Sequence, residues 1–103
     1  MIRKSVPEQA PQVSADIDGR IMHSDKRVEA ILLTLQPGEK MPLHKNPYDV
    51  LFAGISGQAR LEHPNGQLQL KAGETIFVTA DEGRAWINHE TEPARIMVFK
   101  ILQ

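Results

Sequence analysis

Turn signals fall at short, regular intervals along this chain, and they leave little room for long helices. Asp18-Gly19, Pro37-Gly38, Asn65-Gly66 and Ala72-Gly73 each carry a glycine, in the first three after a bend-favouring residue. Between them lie short apolar or alternating segments rich in Val, Ile, Leu and Phe, which suit a pleated, half-buried surface. The pattern predicts strands at 20–24, 28–36, 48–55, 58–63, 67–71, 75–79, 84–89 and 94–102. No stretch sustains a helical period over three turns. The sharpest local expectation is a hairpin in which 58–63 returns through Pro64-Asn65-Gly66 to 67–71. Asn-Gly there suits the positive φ angles of a type I′ turn.

Two segments are apolar on both faces. In 94–102, Ala94, Ile96 and Val98 alternate with Met97, Phe99 and Ile101, and 28–36 behaves in the same way. Burial on both faces needs a second layer, so these strands lie between two sheets or at a subunit contact. An all-β, two-sheet jelly roll satisfies this, and a homodimer is expected alongside it.

At 103 residues the chain is long enough for one core and is read as a single domain. The first fifteen residues, with Pro7 and Pro11, form an extended arm, and the barrel core occupies 28–102. Twelve basic residues face thirteen acidic ones with no block of either sign, which argues against nucleic-acid and anionic-membrane surfaces. There is no cysteine, and hence no disulfide, thiolate metal site or Cys nucleophile. Residues 1–12 lack the apolar stretch of a signal peptide, and a cytoplasmic location is expected.

Two segments carry a family signature. Gly38 to Gly57 and Gly73 to Asn88 follow the spacing of the two motifs of the cupin superfamily, G-x5-H-x-H-x3,4-E-x6-G and G-x5-P-x-G-x2-H-x3-N. The chain resembles a small single-domain conserved-barrel cupin over residues 28–102. The resemblance implies a double-stranded β-helix, or jelly-roll barrel. Family metal centres use two His and a Glu from the first motif and a His from the second. This chain holds His44, Asn46, Val50 and Arg84 at those four positions, so a single imidazole remains. A transition-metal site needs about three N, O or S ligands, and a guanidinium only donates. No metal or other cofactor is expected, with a divalent transition metal as the alternative.

Alternate residues of a strand share a face. On that parity His44, Asn46, Tyr48, Val50 and Phe52 project inward, opposite Arg84, Trp86 and Asn88, while Asp49 points away unless a bulge at Pro47 turns it. Arg84 either faces inward, where a ligand carboxylate or phosphate would satisfy it, or turns out to pair with Asp81 and Glu82. Trp86 is either core or a shaping wall, and Asn88 suits a structural hydrogen-bonding role. Val50 removes the anionic ligand and leaves an apolar floor. His63 sits beside a hairpin tip and His89 alternates outward. The register of His23 is open.

These residues point to a small polar or anionic ligand bound by His44, Asn46, Tyr48, Arg84 and Trp86. An alternative is metal-independent acid–base catalysis with His44 as base and Tyr48 as acid. Two further readings are a metal-dependent dioxygenase or isomerase, and an interaction scaffold with a filled interior.

Overall fold

A computed structural model of the chain describes all 103 residues. After a short 3₁₀ turn at Pro7–Gln9 come nine strands: β1 (Asp18–Ser24), β2 (Val28–Leu35), β3 (Lys40–His44), β4 (Asp49–Ser56), β5 (Gln58–His63), β6 (Gly66–Lys71), β7 (Thr75–Val78), β8 (Arg84–Ile87) and β9 (Ala94–Ile101). They form a five-stranded sheet, β1-β2-β9-β4-β7, and a four-stranded sheet, β3-β8-β5-β6. Every pairing is antiparallel. The sheets close over one apolar cluster in which Ile31, Leu33 and Leu35 of β2 and Ala94, Ile96 and Val98 of β9 meet Leu61, Leu70 and Trp86 from the facing sheet. This is the expected jelly roll.

The double burial of β2 has a local cause. Its inner row enters the core, while Leu32 and Thr34 on the outer row lie beside Pro7 and Glu8 of the N-terminal arm. The arm is tied to β1 by the N–H of Ile21 donating to Pro11 O at 2.9 Å and that of Val13 to Gly19 O at 2.7 Å. It therefore acts as part of the barrel wall. At the β1–β2 turn, the Asp25 carboxylate accepts the backbone N–H groups of Arg27 and Val28 and meets Nε2 of His23 at 2.9 Å. Those bonds, His23 first, hold Asp25 well below the usual carboxylate range. They also place His23 at the turn.

Two expectations need correction. Residues 40–44 form a strand that alternation did not reveal, because Pro42 interrupts it and most of it is exposed. Met41 pairs with Trp86 and His44 with Arg84, so β3 spends three residues where β8 spends two. That bulge falls at Pro42-Leu43 on an edge strand, where a missing N–H is tolerated. The β5–β6 hairpin forms as expected but around a different turn. His63 pairs with Gly66, which makes Pro64 and Asn65 the two loop residues. Proline holds φ near −65°, excluding a type I′ turn, and the positive φ of 145° is taken by Gly66.

Close backbone approaches fix one glycine within β4 and another just after it. A Cβ on Gly54 would lie 2.1 Å from Lys71 O, and one on Gly57 would lie 2.2 Å from Pro93 O. Only glycine fits at either place.

Candidate functional site: an arginine-walled cavity in the barrel

Strand alternation drives one side chain in two into the barrel, and not all of them meet. Between the sheets is a cavity of about 160 Å³ lined by fourteen residues, eight of them hydrophobic. Ile31 and Leu33 from β2, Val98 from β9, Phe52 from β4 and Trp86 from β8 supply most of the apolar wall. The polar wall is His44 from β3, Asn46 from the β3–β4 loop, Arg84 at the start of β8 and Lys100 near the end of β9. Val13 and Ser14 of the arm, with Ile17 just before β1, complete the wall.

Arg84 faces inward. Its relative exposure is 3 %, and neither Asp81 nor Glu82 pairs with it. Nη1 donates to Glu82 O at a long 3.4 Å, while Nε is buried with no partner. Its guanidinium carbon lies 5.6 Å from the centre of the Phe52 ring, and Trp86 meets the same ring edge-on at 5.1 Å. A cation–π contact contributes roughly 0.5–2 kcal/mol. Removing an ion from water costs several kcal/mol after relaxation, so the ring offsets only part of that cost. Burial pushes the Arg84 pKa down from its ordinary value, yet a guanidinium does not release its proton in a protein.

His44 stands directly across the β3–β8 ladder from Arg84. It is exposed at the cavity mouth. Partial burial, and then the neighbouring Arg84 charge, hold its pKa below the ordinary 6.5. Lys100 carries its own partner, with Nζ 3.7 Å from the Glu29 carboxylate. Asn46 is anchored through its backbone carbonyl, which accepts the N–H of Asp81 at 2.9 Å, and its side-chain oxygen is buried without a partner. Asp81 has a φ of 67°, the one non-glycine residue at positive φ. It occupies the place of the second glycine in the second cupin motif.

Of the residues singled out in the sequence, His44, Asn46, Arg84 and Trp86 converge on the cavity, and Tyr48 does not. Tyr48 is 36 % exposed because β4 begins at Asp49, and alternation does not carry across the bend at Pro47-Tyr48. Asp49 also stays outside, accepting the Ala80 N–H at 2.9 Å. Val50 is fully buried in the core cluster and does not line the cavity floor. Asn88 plays the structural role, donating from Nδ2 to Leu35 O and Glu92 O and accepting from Glu90 N–H. His89 lies on the outer face of the second sheet against Arg60. Lys100 was missed, although it continues the inward row of Ala94, Ile96 and Val98 and breaks that row's apolar character. The arm residues carry no sequence signal of comparable strength.

Nowhere do three His, Cys, Asp or Glu side chains converge. One imidazole, one amide and a fixed cation do not make a first shell for a divalent transition metal. The cavity residues therefore do not fit the metal centre of the family.

The family model for the cupin domain matches residues 31–100, most of the chain. The chain is a cupin. Solved structures share its fold across nearly its full length. The polyketide cyclase RemF from Streptomyces resistomycificus superposes with a TM-score of 0.86 at 14% identity, covering 100% of this chain and 81% of that one. A conserved double-stranded β-helix protein from Klebsiella pneumoniae gives 0.83 at 18% identity, covering 98% and 90%. KdgF from Halomonas sp. gives 0.81 at 13% identity, covering 100% and 96%. Identities this low speak to the fold alone. A search of curated proteins returned no match. No helix of this cupin is long and apolar enough to cross a membrane.

The depressed pKa of His44 has a consequence that can be measured. A histidine with a folded pKa below its unfolded value takes up its proton more readily when unfolded. Its contribution to stability is present above about pH 6.5 and is lost as pH falls through that value toward the folded pKa. An NMR titration should give a His44 midpoint below the ordinary 6.5, rising in Arg84→Met. A midpoint at or above the ordinary value would contradict the geometry described.

Proposed function

We propose that this cupin binds a small anionic organic molecule inside the barrel, with Arg84 taking the place of a metal ion as the fixed positive charge. The observation that carries this reading is the nearly complete burial of Arg84 at a cavity wall with its Nε unpartnered. A carboxylate or phosphate accepts two parallel N–H bonds from a guanidinium, which is the pairing Arg84 lacks. Neutral His44 can donate from one ring nitrogen beside it, and Trp86 and Phe52 shape the remainder.

Binding is favoured over acid–base catalysis because Tyr48 stands outside the cavity, which leaves His44 without its expected acid partner. A metal-dependent dioxygenase or isomerase is disfavoured by Arg84 and Val50 at two former ligand positions. The cavity itself weighs against a purely interacting scaffold with a filled interior. In calorimetric titration against a set of small organic acids, Arg84→Ala should weaken binding by roughly 10- to 100-fold, the equivalent of a lost charged hydrogen-bonded pair. The variant should still fold, since removing an uncompensated buried charge relieves a cost. Unchanged affinity would sink the proposal.

We also propose that two copies associate through the outer face of the five-stranded sheet. Leu51, Phe77, Met97 and Phe99 form adjoining outward rows there, and Phe77 is 53 % exposed. Arg95 bounds the patch at one end and Asp49 at the other. A copy related by a two-fold axis would therefore bring opposite charges together. Sedimentation analysis should find a dimer that Phe77→Glu converts to monomer. A monomeric parent chain would refute this association.

A further inference from the structure

We propose that the ligand is a monocarboxylate whose body is a single apolar ring, or a branched chain of similar bulk. This rests on the reading of the barrel as an Arg84-dependent anion site, and it adds the charge, size and polarity of the guest.

Strand register sorts the cavity into two ends. At the outer end, Arg84 lies across from His44, and Lys100 lies across from Glu29 on one side and Val50 on the other. Two residues further in, Trp86 pairs with Met41, while Val98 pairs with Ile31 and Phe52. The charged groups of the strands thus share the outer end, and the inner end is apolar apart from the indole N–H of Trp86, which is buried without a partner. A guest that fits has its charged group at one terminus only.

Charge sets the second limit. Glu29 answers Lys100 at 3.7 Å, and burial together with the Arg84 charge favours the neutral form of His44. One positive charge, that of Arg84, is left over. A single carboxylate neutralises it, whereas a second would be buried with no cation to meet it. Volume sets the third. The cavity of about 160 Å³ compares with an apolar cavity of about 150 Å³ that holds one benzene. A sugar acid of similar size would place several hydroxyls against Ile31, Met41 and Val98, where the single indole N–H of Trp86 cannot replace all their bonds to water.

The test is calorimetric titration of the purified chain at pH 7.5 with benzoate, cyclohexanecarboxylate, benzamide, phthalate, glucuronate and acetate. Benzoate and cyclohexanecarboxylate should bind at least roughly 10-fold tighter than the other four. Arg84→Met should erase the preference for benzoate over benzamide. Amide-resonance mapping on the unmodified chain should place the benzoate shifts at Arg84, Trp86 and Val98, so the result does not depend on the variant folding. Glucuronate or phthalate binding more tightly than benzoate, with the response centred on Arg84, would overturn this ligand class and leave the broader anion-site reading standing. If none of the acids binds in an Arg84-dependent way, both readings fall.

Discussion

The buried guanidinium of Arg84 is the interaction on which the interior of this barrel depends. It cannot lose its proton, so its surroundings must accommodate a permanent charge. Phe52 turns its ring face to that charge, and Trp86 fixes the ring edge-on. Across the ladder, His44 avoids adding to the repulsion by favouring its neutral form. Lys100 is answered by Glu29, which leaves Arg84 as the one cation of the cavity wall without a carboxylate. Each neighbour eases the cost without removing it, and an anion in the cavity would remove most of the remainder.

Backbone irregularities bring these side chains together. A regular β3 would put Met41 and His44, three residues apart, on opposite faces. The bulge at Pro42-Leu43 lets both line the cavity, one beside Trp86 and the other beside Arg84. The chain then passes through Asn46, whose carbonyl is held by Asp81, before β4 begins. That bond joins the two motif loops across the mouth. On the other flank the arm returns along β1 and contributes Val13 and Ser14 to the wall, joined by Ile17 just before β1. The mouth is therefore built largely from turns and the interior from regular strands.

This division explains what could be read from the sequence. Eight strands, the two-layer arrangement and the inward row of β4 followed from alternation and turn residues, because each is a local pattern with a fixed period. Tyr48 was misplaced because strand parity was carried through the bend at Pro47. Strand β3 was hidden by a proline and by its exposure at a sheet edge. Asn65-Gly66 signals a type I′ hairpin turn, but Pro64 before it fixes φ and shifts the turn to Pro64-Asn65. Whether Arg84 faced in or out could not be decided from its neighbours, since Gly83 loosens the local register and the acids of 81–82 offered an equally sensible partner. Lys100 was legible as a charge in an apolar row, and its meaning emerged only once Glu29 and Arg84 were placed around it.

Proteins sharing 13–18% identity with this chain adopt the same barrel, so the scaffold leaves open what occupies its centre. In this cupin the ligand positions of the motifs hold an imidazole, an amide, an isopropyl group and a guanidinium. The central claim is that the guanidinium supplies the positive charge a metal would otherwise bring. Elemental analysis of tag-free protein, purified without chelators and then incubated with divalent transition metals and desalted, tests it most directly. The account predicts metal far below one equivalent per chain. A near-stoichiometric metal would mean that His44 has found partners within the barrel, and would contradict an inward Arg84 as the charge of the site.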